Sequence, residues 1–219
     1  MLNKERVKKA YRNWLRRDLT RRNRSNLLAI SEPISIISSN CIGGVILHDL
    51  GLPFATPTIN LYFEPKSYLA FVTDLDHYLK LPLKEKLGEN KPYPVGYLDE
   101  KVVIHFFHYK DFATAKAKWE ERAKRVNPNL LYLILTDRDG LTREDAAYFD
   151  SLPYPNKVLL TSKPYEGLAS VHDMGEAYRL GDSLMDLCQF KTKFSGRRYL
   201  DDFDYVAFLN ASFKKDETE

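Results

Sequence analysis

A chain of 219 residues with 44% hydrophobic and 13% aromatic side chains is long and apolar enough to bury one sizeable core, which excludes general disorder. The net charge of +3 is unevenly spread: residues 1–24 carry ten Lys or Arg against Glu5 and Asp18, or +8, leaving −5 for the remainder. Two distant cysteines without a C-x-x-C exclude a disulfide framework and a cysteine zinc site. No apolar run reaches the roughly 20 residues that span a bilayer, and the N-terminus has no secretory core. A cytoplasmic protein is therefore expected, with peripheral contact at the inner membrane face left open.

In MLNKERVKKAYRNWLRRDLTRRNR, Val7, Tyr11, Trp14, Leu15 and Leu19 fall at helical spacing among Lys and Arg, which predicts a basic amphipathic helix. Either this stripe packs on the core and the charges are solvated, or residues 1–24 lie on an anionic membrane surface. Nucleic acid is disfavoured, since no basic–aromatic interleaving continues downstream. The organisation expected is a basic helix and linker over 1–30, one α/β domain over 31–210, and a polar tail over 211–219.

From Ile34 onward short apolar runs alternate with helical stretches. Strands are expected at about Ile34–Ser38, Thr58–Tyr62, Pro94–Leu98, Val102–Phe107, Leu130–Thr136 and Lys157–Thr161. Helices are expected at about Ile42–Leu50, from Pro65 through Leu79, at Phe112–Val126 after an Asp111 cap, and at Arg143–Leu152 after a Thr142 cap. Only Asp99-Glu100-Lys101 joins the third and fourth strands, so they should form an antiparallel hairpin. The fold class is thus α/β: three layers, α/β/α, with a mixed, mostly parallel sheet of about six strands. Beyond Ser170 a loop and short helices near Ser183–Phe190 and Asp201–Leu209 are expected.

Ligands of open α/β sheets bind outside the carboxyl ends of the strands, so those ends hold the candidate chemistry. The first carries SSNCIGGV. Cys41 at a strand-to-helix turn would feel the helix N-terminus and serve as a nucleophile with His108 or His48 as base. Gly43 and Gly44 would let backbone amides approach an anion, with Asn40 beside them. The competing reading is close helix-on-sheet packing around a small buried cysteine. In LLYLILTDRDG, Asp137 and Asp139 flank Arg138 and would hold a divalent cation, Mn²⁺ or Mg²⁺, that bridges phosphates; otherwise they shape an Asp-Gly turn. Ser162, Lys163 and Tyr165 in TSKPY would contact phosphate or carboxylate, or Lys163 is simply solvated. In VVIHFFHYK, alternation puts His105 and His108 on opposite faces, and His108 is the better proton carrier.

Taken in order, IISSNCIGGVI, LGLPFATPTINLYFEPKSYLAF, YPVGYL, IHFFHYK, AKAKWEER, LTDRDG, FDSLPYPNKVLLTSKPY and FDYVAFLN resemble the bacterial domain-of-unknown-function family nineteen-nineteen, over about Ile34 to Leu209. Members are often labelled exopolysaccharide or capsule biosynthesis proteins, some as acyltransferases. The resemblance carries over to Asn40, Cys41, Gly43, Gly44, Pro57, Thr58, Trp119, Asp137, Arg138, Asp139, Gly140, Lys163 and Pro164; Ile42 stands where relatives often have an aromatic ring. It implies a role in cell-surface glycan assembly. A glycosyltransferase-like enzyme with a nucleotide sugar or glycan substrate is the first expectation, with His108, Asp139 and Cys41 as candidate catalytic residues. The alternatives are Cys41-dependent acyl transfer or hydrolysis, and a non-enzymatic glycan-binding or assembly module.

Overall fold

A computed structural model describes residues 4–28 and 32–213, with the side chains of Lys4, Glu5 and Lys9 left aside; the end of the expected linker and the tail from Lys214 lie outside the described residues. The helices are α1 (Lys4–Asn26), α2 (Ile42–Leu50), α3 (Pro65–Thr73), α4 (Leu75–Lys80), α5 (Phe112–Ala123), α6 (Arg143–Ser151) and α7 (Tyr205–Asn210). The strands are β1 (Ser35–Ser38), β2 (Lys84–Glu85), β3 (Val95–Tyr97), β4 (Val103–His105), β5 (Leu131–Thr136), β6 (Lys157–Thr161), β7 (Val171–Asp173), β8 (Arg179–Leu180) and β9 (Ser183–Leu184).

Strands β1, β5, β6 and β7 form a parallel sheet in that order, with Ser35 opposite Leu131, Leu133 opposite Lys157 and Leu159 opposite Val171. Every residue of β1 and β5 is buried, as continuous apolar strands covered on both faces require. On one face Ile37, Leu131, Leu133, Leu135 and Leu159 meet α3, α5, α6 and the antiparallel sheet, around Trp119, Phe71 and Phe149. On the other, Ile36, Tyr132, Ile134, Val158 and Leu160 meet α2 and α7. The three layers are therefore those the sequence predicts. So are the local signals: Pro65 opens α3, the Asp111 carboxylate accepts from Thr114 N at 2.7 Å, and Thr142 with Asp145 forms a capping box.

The expected six-stranded sheet is divided. The β3–β4 hairpin is antiparallel as predicted, but it pairs with β2 in a separate sheet. Thr58–Tyr62 is not a strand, because Asn60 takes a left-handed φ of 62° and the chain turns there. Side chains replace the ladder along the outer edge of β1: Thr58 Oγ1 accepts from Ser38 N at 3.1 Å. Phe63 N then donates to Ser39 O, and Tyr62 and His105 exchange two backbone hydrogen bonds at 2.9 Å, which ties the two sheets together. Strand β7 occupies a stretch predicted as loop. The helix predicted from Pro65 through Leu79 breaks at Asp74, and the one near Ser183–Phe190 is β9 followed by turns.

Helix α1 forms as predicted but docks by a face rotated from its apolar stripe, of which Leu15 and Leu19 are half-buried. Val7, Tyr11 and Trp14 are 51%, 44% and 62% exposed, whereas Arg16 is buried. Arg16 pairs with Asp49 of α2 and, at 2.7 Å, with Asp201, and donates to Gly196 O at 2.6 Å. Arg198 reaches the same Asp49 at 2.8 Å. A side chain at position 196 would put its Cβ 2.6 Å from that of Leu15, so glycine lets this loop close onto α1. Among the described residues no helix is long and apolar enough to cross a membrane.

Candidate functional site

Helix α2 leaves β1 toward one face of the parallel sheet and α6 leaves β5 toward the other, so the carboxyl ends of these neighbouring strands diverge. Such a switch opens a crevice. A cavity of about 300 Å³ lies there, bordered by Asn40 and Cys41 after β1, Arg138 and Asp139 after β5, and His108 after β4. These five come together as the sequence suggests. Asn40 ties the two strand ends: its Oδ1 accepts from Ile42 N at 3.1 Å and its Nδ2 donates to Thr136 Oγ1 at 2.9 Å. Asp139 sits at the rim in a left-handed turn, φ 56°, followed by Gly140 at 86°.

The cavity's opposite wall is aromatic and was not legible in advance. Tyr62 and Tyr93 share a hydroxyl–hydroxyl contact of 2.9 Å, and Phe107, 54% exposed, stands edge-on to Tyr93. The Tyr62 ring lies parallel to buried His105 at 4.5 Å. Burial, the Tyr93 hydroxyl and nearby Asp139 hold the Tyr62 hydroxyl in its protonated form. Asp186 and Cys188, from the stretch predicted to be helical, complete the rim, with Asp186 4.0 Å from Arg138.

Cys41 borders this space but is not activated. Its thiol donates weakly to Leu61 O at 3.7 Å, and burial, with Asp186 adding to it, pushes the thiol up to about 11. Cys188 is shifted the same way by burial and Asp186. A thiol held protonated is a poor nucleophile at neutral pH.

The other expected site residues serve different ends. Asp137, 1% exposed, accepts from Thr161 Oγ1 at 3.0 Å and Tyr165 OH at 3.3 Å, with Lys163 Nζ 3.6 Å away. Burial and this carboxylate push the Tyr165 hydroxyl up to about 12. Lys163 thus balances the charge of a buried acid to which Tyr165 donates a hydrogen bond, and neither lines the crevice. Ser162 Oγ is buried without a hydrogen-bond partner among the described residues, and its carbonyl accepts from Arg179. Asp139 borders the crevice whereas Asp137 is buried beneath it, and among the described residues no group of three or more His, Cys, Asp or Glu is placed to hold a metal ion. Gly43 N donates to Ser38 Oγ at 3.1 Å, so this amide is not free for an anion. A Cβ on Gly43 would lie 2.8 Å from Ser38 Oγ and 2.9 Å from Ile36 Cγ2, which makes it a close-packing glycine of α2 on β1. Thr58 is buried and seals the edge of β1.

The profile of a domain of unknown function, DUF1919, matches residues 6–210. The chain belongs to the DUF1919 family. The match begins inside α1 and so includes most of the basic helix. An uncharacterized protein of Haemophilus influenzae (strain Rd) is 37% identical over 207 residues, covering 94% of this DUF1919 chain and 96% of the relative.

Proposed function

We propose that this DUF1919 protein is a glycosyltransferase-like enzyme of cell-surface glycan assembly that takes an activated sugar donor in the β1–β5 crevice. The observation that carries the reading is the composition of that cavity: an aromatic wall of Tyr62, Tyr93 and Phe107 faces Asn40, His108 and Asp139. Sugar rings pack their C–H faces on aromatic walls while a few polar groups fix orientation. The family resemblance supports the pathway. In the reaction, an acceptor hydroxyl oxygen forms a bond to the donor's anomeric carbon as the bond to the phosphate oxygen breaks, and Asp139 or His108 takes the hydroxyl proton. Cys41, held as a thiol, has no covalent role in this scheme.

Purified protein would be screened against nucleotide sugars by thermal shift and donor consumption, with and without Mn²⁺. At least one donor should stabilise the wild type and be consumed. Asp139→Asn or His108→Gln should lower the rate by on the order of a hundredfold with unchanged melting temperature. Absence of any donor response, or full activity in both variants, would refute the reading.

Contact with an anionic lipid surface is favoured as an accompanying role by one observation. The outward face of α1 carries exposed Val7, Tyr11 and Trp14 beside exposed Arg6, Arg17 and Arg21. Trp14 emission should shift to the blue on phosphatidylglycerol vesicles and not on phosphatidylcholine. An identical spectrum in both removes the role.

A further inference from the structure

A second cavity, of about 430 Å³, opens on the other side of Cys41, which borders both spaces. Four distant parts of the chain build it: Lys8 and Arg12 from α1, His48 from α2, Arg122 from α5, and Arg198 from the loop before α7. Among the described residues no carboxylate lines it. Arg198 is balanced by Asp49, but Lys8, Arg12 and Arg122 have no carboxylate within ion-pair distance among the described residues. The two guanidinium groups lie over aromatic rings, Arg12 4.2 Å from the centre of Phe190 and Arg122 5.7 Å from that of Phe54. Tyr109 OH accepts a hydrogen bond from Arg122 at 2.9 Å, and Arg12 Nε is buried without a hydrogen-bond partner among the described residues.

Three cations with no carboxylate partner among the described residues share one concave site, and a bound anion relieves their mutual repulsion. Contact with a ring restrains each planar fork while N–H donors not engaged by Tyr109 stay available, an arrangement that suits phosphate oxygens. A single phosphate engages one such fork, whereas cations on separate elements suit a linked pair of phosphates.

We infer that this cavity is a diphosphate site, taking the pyrophosphate group of a nucleoside diphosphate compound or of a prenyl diphosphate. The inference deepens the proposed reading, since it places the donor's leaving group beside the aromatic crevice across Cys41. It also replaces Lys163 and the Gly43 amide, which the fold engages elsewhere, as phosphate ligands.

The test uses the full chain and inorganic pyrophosphate in titration calorimetry at fixed ionic strength. Wild type should bind saturably, and more weakly as salt is raised. Arg12→Gln and Arg122→Gln should each weaken binding on the order of tenfold. The control Arg125→Gln removes an equal charge from the exposed end of the α5 region and should bind as wild type. Two substitutions on different helices guard against loss of α1 docking alone. No saturable binding to wild type, or equal weakening by Arg125→Gln, would overturn the site. Parallel titrations with UDP, GDP and farnesyl diphosphate identify the source: the compound that binds more tightly than pyrophosphate names it. Pyrophosphate binding without turnover of any nucleotide sugar keeps this site and removes the glycosyl-transfer reading.

Discussion

Arg16→Met is the most informative single test of how the chain is assembled. The Arg16 side chain is 4% exposed and reaches two buried carboxylates, Asp49 at 6% and Asp201 at 2%. Methionine fills a similar volume and keeps the apolar stem but deletes the guanidinium. Asp49 then retains Arg198 at 2.8 Å. Asp201 retains only polar hydrogen bonds, chiefly from Arg198 N at 2.6 Å, and Gly196 O loses its donor. Removing one partner of a buried ion pair leaves an uncompensated charge and costs about 3–5 kcal/mol. For a domain of this size each kcal/mol moves the melting temperature by roughly 2–4 °C, so a fall of roughly 6–20 °C is expected. Arg17→Met, at a side chain 69% exposed, should change stability by less than about 0.5 kcal/mol. Urea and thermal unfolding at low and high salt would read both. A loss below about 1 kcal/mol for Arg16→Met, or a loss equal to that of Arg17→Met, would refute the docking face assigned to α1.

Gly43→Ala gains about 1 kcal/mol of helix propensity but forces Cβ against Ser38 Oγ and Ile36 Cγ2, so net destabilisation of about 1–2 kcal/mol is expected by chemical denaturation. Gly44→Ala, whose nearest contact is Ile59 at 3.3 Å, should fall closer to neutral, and a stabilised Gly43→Ala would defeat the packing role. Cys41 should react with iodoacetamide more slowly at pH 7.5 than a free model thiol, and the rate should climb toward pH 11, where its raised value lies. Because the folded thiol keeps its proton to higher pH than the unfolded one, stability should decline as pH rises through that interval. His105 is lowered by burial, so the unfolded chain takes up a proton first as pH falls below about 6.5, and stability is lost on that side. His105→Phe keeps the stack on Tyr62 and should flatten the fall in melting temperature between pH 7 and 5.5; an unchanged slope would contradict a neutral buried ring.

What could be read from the sequence was local. Strands β1, β5 and β6 are near-continuous apolar runs, and the caps at Asp111 and Thr142 lie within three residues of the amides they satisfy. The strand ends then placed Asn40, Cys41, His108, Arg138 and Asp139 in one crevice without any contact information. At the site, what the sequence does not mark is non-local. Lys163 and Asp137 end adjacent parallel strands, so their pairing depends on sheet order. Tyr93, Asp186 and Cys188 reach the cavity through irregular backbone that no periodicity marks. The apolar period of α1 identifies one face, but Asp49 and Asp201 offer a stronger partner to the other, and Arg16 takes it.

That inverted docking links the helix to the chemistry. With Arg16 turned inward, Arg12 one turn before it and Lys8 one turn earlier project along the same side toward α2, where the 430 Å³ cavity opens. The same rotation leaves Val7, Tyr11 and Trp14 outside. Had the apolar stripe packed inward instead, Lys8 and Arg12 would turn away from α2, and Arg122 and Arg198 would be the cationic groups left on the cavity wall. The ion pairs of Arg16 therefore bring Lys8 and Arg12 to the cavity beside Cys41, although Arg16 itself does not line it.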